Sequence, residues 1–97
     1  MRKFNIKEMH RGWFIGDFLP SVLRTTLFEV GILKHQKGEE WPKHYHAEAT
    51  EYNVLINGSM TVNNNLIKEG EIFVLEKNEI CNPIFHKDCT VLCVKVP

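Results

Sequence analysis

The sequence predicts an all-β protein, a sandwich or barrel of short strands, on three observations. Short runs rich in Val, Ile, Thr, Phe and Tyr recur at near-even spacing. Turn residues separate them, among them Gly38, Asn57-Gly58, Asn63-Asn64-Asn65 and Gly70. Apolar residues at helical spacing never persist long enough to make an amphipathic helix.

Taken in order, Phe4 to Ile6 reads as a first short strand and Trp13 to Phe18 as an extended piece that stops before Pro20. Thr25 to Lys34 is the longest strand candidate, with Phe28, Val30 and Ile32 on one face. His35 to Glu40 is a turn around Gly38, and Trp41 to Ala47 is extended. Glu51 to Ile56 is a strand that meets Asn57-Gly58, a type I′ hairpin signal from which Met60 to Val62 pairs back. Asn63 to Asn65 and Lys68 to Glu71 are turns flanking the next short segment, and Ile72 to Leu75 is a fully apolar strand. Glu76 to Glu79 turns again before Ile80 to Pro83, and Cys89 to Val96 is the last strand.

A chain of 97 residues is one domain, spanning 1–97, and its core is thin. Twelve basic residues balance twelve acidic ones, so no net field favours nucleic acid and no basic stripe marks a phosphate-binding face. A thin core, zero net charge and N-terminal aromatics predict a homodimer. Three cysteines leave one unpaired in any disulfide scheme, and the N-terminus lacks the apolar run of a secretory signal. No apolar stretch is long enough to span a bilayer, so no membrane is expected and the predicted location is the cytoplasm.

The chemistry concentrates between Gly38 and Gly58. His44 and His46 are two apart, which on a strand puts both imidazoles on one face. Glu51 follows after a short gap that brings a neighbouring strand alongside. Two imidazoles and a carboxylate suit a divalent transition metal and leave coordination positions open for water or substrate. If Glu51 faces the barrel interior, Asn53 and Leu55 do too, which makes them candidate ligand-binding residues. Tyr45 and Tyr52 then fall on the opposite faces of their strands, as packing or interface residues.

Gly38, His44, His46, Glu51 and Gly58 stand at the intervals of the first conserved motif of the cupin family, which this chain resembles over most of its length. The resemblance implies a double-stranded β-helix, or jelly-roll, barrel with His44, His46 and Glu51 as metal ligands. The second family motif is degenerate. Gly70 is kept, but Glu76, Asn78, Cys81 and Phe85 stand where the family has proline, glycine, histidine and asparagine.

Three arrangements stay open at this point. Cys81 ligates as a thiolate and favours zinc, or the two histidines and Glu51 hold iron, zinc, nickel or manganese alone. In the third, the site is metal-free and its histidines bond a ligand directly. The fold hosts unrelated activities, so it does not fix the function. The sequence points to a barrel that binds a metal and a small polar metabolite, with an oxygenase, isomerase or lyase as the enzymatic form. The alternative is a non-catalytic sugar or small-molecule binding module, or a dimeric scaffold. No general acid or base is identifiable beyond the candidate ligands.

Overall fold

Side-chain alternation along the long strands decides which residues form the interior. In the computed structural model, which describes residues 1–42 and 45–97, the described residues form eight strands in two antiparallel sheets. In chain order they are β1 (Trp13–Ile15), β2 (Glu29–His35), β3 (Thr50–Asn57) and β4 (Met60–Val62), then β5 (Asn65–Ile67), β6 (Ile72–Leu75), β7 (Pro83–Phe85) and β8 (Cys89–Val96). The larger sheet runs β1-β2-β8-β3-β6 and the smaller β5-β4-β7. The all-β expectation holds.

Register fixes the inner face of the large sheet. Glu51, Asn53 and Leu55 of β3 stand opposite Lys95, Cys93 and Val91 of β8. Gly31, Leu33 and His35 of β2 oppose Cys93, Val91 and Cys89 from the other side. Met60, Val62, Ile67 and Phe85 of the small sheet close over them. Leu55 is 0% exposed and Cys93 1%, so this end of the barrel is filled. Burying one such leucine contributes roughly 1.5–3 kcal/mol. The outer face of the same sheet is also apolar: Tyr52, Val54, Ile72, Val74, Leu92 and Val94 all point away from the core.

Several segments differ from the sequence expectation, each for a local reason. Phe4 to Ile6 is no strand; Ile6–Glu8 is a 3-10 turn, because the Asn5 side chain accepts the Lys7 N–H at 2.9 Å and caps it. The strand expected from Thr25 begins at Glu29, since the Thr25 hydroxyl accepts the Leu27 N–H and bends the chain. Asn57-Gly58 does not close a hairpin between β3 and β4. β3 pairs with β6 and β8 instead, and the chain crosses to the other sheet. Gly58 is required there for another reason. Its φ is 108°, and a Cβ would lie 2.5 Å from the Asp88 carbonyl oxygen and 2.7 Å from Cys89 Sγ. The left-handed pair belongs to Asn63 and Asn64, at φ 49° and 66°, which join β4 to β5.

Candidate functional site

The filled end of the barrel gives way, past Asn53, to a cavity of about 850 Å³ at the other end. The inner faces of β3 and β8 supply Glu51 and Lys95 as cross-strand neighbours on its wall. Trp13 lies over Gly31, where a side chain would collide with the indole, and the Lys95 ammonium sits 4.8 Å from the Trp13 ring centre. Leu33 and His35 come from β2. Lys7 and Arg11 of the N-terminal segment form the rim.

The turn after β2 builds the aromatic side of the cavity. His35 Nδ1 lies 2.8 Å from Glu39 Oε2, and the Trp41 indole N–H donates to the same oxygen at 3.0 Å. The Gln36 N–H donates to the other oxygen at 3.3 Å. Burial pushes the Glu39 carboxyl up, but these hydrogen bonds outweigh it and hold the group below the ordinary carboxylate range. One carboxylate thereby fixes two rings. His35 stacks on Phe85 at 4.5 Å, while Trp41 meets Tyr45 edge-on at 5.0 Å.

Burial raises the Glu51 carboxyl above its ordinary range, with Lys95 and the Cys93 thiol pulling against it. Burial likewise raises the Tyr45 phenol, which remains a hydrogen-bond donor at neutral pH. Cys93, whose sulfur lies 3.9 Å from Glu51 Oε1, is pushed to about 12 by burial and by Glu51. Cys81 is pushed to about 11 by burial, then Glu51 and Glu79. Both are thiols at neutral pH.

The sequence-derived residues are distributed unevenly around this cavity. Glu51 lines it. Asn53 projects from the same face of β3 and is only 5% exposed, and its side-chain NH₂ has no hydrogen-bond partner among the described residues. Leu55 belongs to the packed core and is not brought to the cavity. His46 is exposed, joined to Ile80 by a backbone bridge. Strand parity explains this: Tyr45 packs on the core and Ala47 is 0% exposed, so the residue between them faces out. Tyr45 is therefore an inward residue, contrary to the expectation that placed it on the outer face. His44 lies outside the described residues. Cys81 is buried in the core cluster. Among the described residues no three His, Cys, Asp or Glu side chains come together as a metal-binding group. Of the triad that the motif implies, the described residues hold Glu51 on the cavity wall and His46 at an exposed position.

Reading by motif missed His35, Glu39, Trp41, Tyr45 and Lys95. For Lys95 a signal existed, because it continues the inward series Cys89, Val91, Cys93 along β8.

No family model and no curated protein matches the sequence. Solved structures do match the fold. A cupin-2 domain protein from Shewanella frigidimarina is 18% identical, with a TM-score of 0.57 over 75% of this chain and 74% of that one. An RmlC-like cupin with a double-stranded β-helix fold from Methanocaldococcus jannaschii is 22% identical, with a TM-score of 0.59 over 75% and 72%. YhhW from Escherichia coli aligns with 99% of this chain at a TM-score of 0.72 and 17% identity, although the chain spans only 42% of YhhW. The chain has the cupin fold, a double-stranded β-helix barrel. At these identities the likeness is one of fold.

Proposed function

We propose that this cupin-fold domain binds a small polar metabolite in the open end of its barrel. The cavity supports this reading: it is of ligand size, walled by aromatic rings, and carries a few convergent polar groups. Trp41 and Tyr45 would hold an apolar face of the ligand, while Glu51, Lys95 and the Tyr45 hydroxyl would address its polar atoms. The Asn53 NH₂, without a partner among the described residues, favours a ligand that reaches inward, since leaving such a buried donor unmet costs roughly 1–3 kcal/mol. A thermal-shift screen of metabolites on the wild type and on Trp41→Ala tests it. The expected result is stabilising compounds whose effect is lost in Trp41→Ala; no stabilisation at millimolar concentrations would refute it.

A second reading, favoured by the spacing of His44, His46 and Glu51, adds a divalent metal at that triad. Elemental analysis of untagged protein, beside the His44→Ala/His46→Ala double variant, decides it. Near-stoichiometric metal in the wild type alone would support it, and none after reconstitution would remove it.

The outer face of the large sheet is where we place a homodimer contact. Tyr52 is 48% exposed, Val74 42% and Ile72 74%, a patch of a kind that monomers rarely leave bare. Light scattering should give twice the chain mass, and Val74→Lys should restore the monomer. Three buried, unpaired cysteines support a reducing location, the cytoplasm. No helix among the described residues is long and apolar enough to cross a membrane.

A further inference from the structure

The cavity is positively charged in a chain that has no net charge. Lys7, Arg11 and Lys95 line it, with Lys34 on the outer face of β2 at its edge, against two carboxylates, Glu39 and Glu51. Glu39 is already committed to His35, Trp41 and the Gln36 N–H. None of the four cations is ion-paired among the described residues, where the pairs are Arg24–Asp17 and His35–Glu39. Lys95 is half-buried, its ammonium over the Trp13 ring; Glu29 and Glu51 are its cross-strand neighbours, and neither forms an ion pair with it among the described residues.

The unmet hydrogen-bonding capacity has the same sense. The Tyr45 hydroxyl and Lys95 ammonium are donors on the wall, and the buried Asn53 NH₂, next inward from Glu51 on the same face of β3, has no acceptor among the described residues. The rest of the lining is flat and apolar, with Trp13 and Trp41 facing the space beside Leu33. Lys7, Arg11 and Lys34 are exposed and solvated, so the half-buried Lys95 decides: a neutral sugar would leave it without an anionic partner, and a cationic ligand would be repelled by it.

We infer that the ligand is a small organic acid, a carboxylate carried on a flat one- or two-ring apolar body. This rests on the barrel-cavity reading proposed above. Lys95 is the anchoring cation, supported on Trp13. Lys7 and Arg11 at the rim raise the local concentration of an approaching anion. The ring lies against Trp41, and the volume of about 850 Å³ admits a two-ring body with water to spare.

Three isosteric probes of different charge test the class: 2-naphthoate, 2-naphthalenemethanol and 2-naphthylmethylammonium, titrated calorimetrically into the full chain. The acid is expected to bind at least about ten-fold tighter than the alcohol, as a charge-assisted hydrogen bond to an ammonium requires. The ammonium is expected to bind no tighter than the alcohol. Lys95→Met should remove most of the acid's advantage over the alcohol. Arg11→Gln, at an exposed position, should weaken the acid alone, by a few-fold. Equal binding of the three, or a preference for the ammonium, would overturn the acid class. If that binding is lost in Trp41→Ala, the cavity reading survives. Failure of all three to bind would also overturn the acid class, leaving the metabolite screen to decide whether the cavity binds anything.

Discussion

Gly31→Ala is expected to weaken the fold and to disturb the cavity in one step. The Gly31 backbone is ordinary strand, so alanine meets no φ penalty there. Its new Cβ would lie 2.6 Å from Trp13 Cε3 and 2.8 Å from Cδ2. Carbon atoms rest at about 3.5–4.0 Å, so the indole must retreat by about 1 Å. Overpacking of this kind costs roughly 1–3 kcal/mol, and losing the Lys95 contact adds about 0.5–1 kcal/mol. Replacing glycine within a strand returns about 0.5–1 kcal/mol. The net expectation is a loss of about 1–3 kcal/mol in urea unfolding, with a change in tryptophan emission in the native state. A double-mutant cycle isolates the cause. In a Trp13→Leu background the same substitution should be neutral or stabilising, because the collision partner has gone. A Gly31→Ala protein as stable as wild type, or an equal cost in both backgrounds, would refute the reasoning.

Glu51→Gln should raise the melting temperature at pH 7. The folded pKa is raised, so the native form binds the proton more tightly and its stability falls as pH climbs from 4.5 through the folded value. The gain should shrink towards zero below pH 4.5, and a variant destabilised equally at every pH would contradict this. Glu39 has the opposite sign: its stabilisation is present above 4.5 and lost as pH falls through the lowered folded value. Glu39→Gln should accordingly flatten the acid limb of the stability profile, as read by urea melts across pH; an unchanged acid limb would show that the His35–Trp41 clamp contributes nothing. Native Cys81 and Cys93 should resist iodoacetamide at pH 8, since thiolates react and theirs form only near pH 11 and 12. Rapid labelling of either, read by mass spectrometry, would show that the barrel opens readily.

What the sequence made legible follows from the range of the interaction involved. Ile72–Leu75 and Cys89–Val96 form the strands expected of them, because short runs rich in β-branched and apolar residues, bounded by turns, have few other fates. The inward series Glu51, Asn53, Leu55 follows from parity alone once β3 is placed. The Asn57-Gly58 signal failed because pairing of β3 with β8, distant in sequence, overrode a local turn preference. Parity around His46 was ambiguous by nature. Tyr45, His46 and Ala47 fit either face, and packing of Ala47 against the core chose. The Glu39 clamp was invisible, because it exists only when the Gly38 turn folds His35 and Trp41 onto one carboxylate.

The most direct test of the account is an NMR titration of ¹⁵N-labelled protein with the metabolite that stabilises it most. Both tryptophans of the chain line the cavity, so their two indole N–H resonances report on it without any substitution. The account predicts that both move saturably, together with the Glu51 and Lys95 amides, while Ile72 and Val74 on the outer sheet stay fixed. Saturation with both indoles unmoved, or shifts confined to the outer sheet, would contradict it.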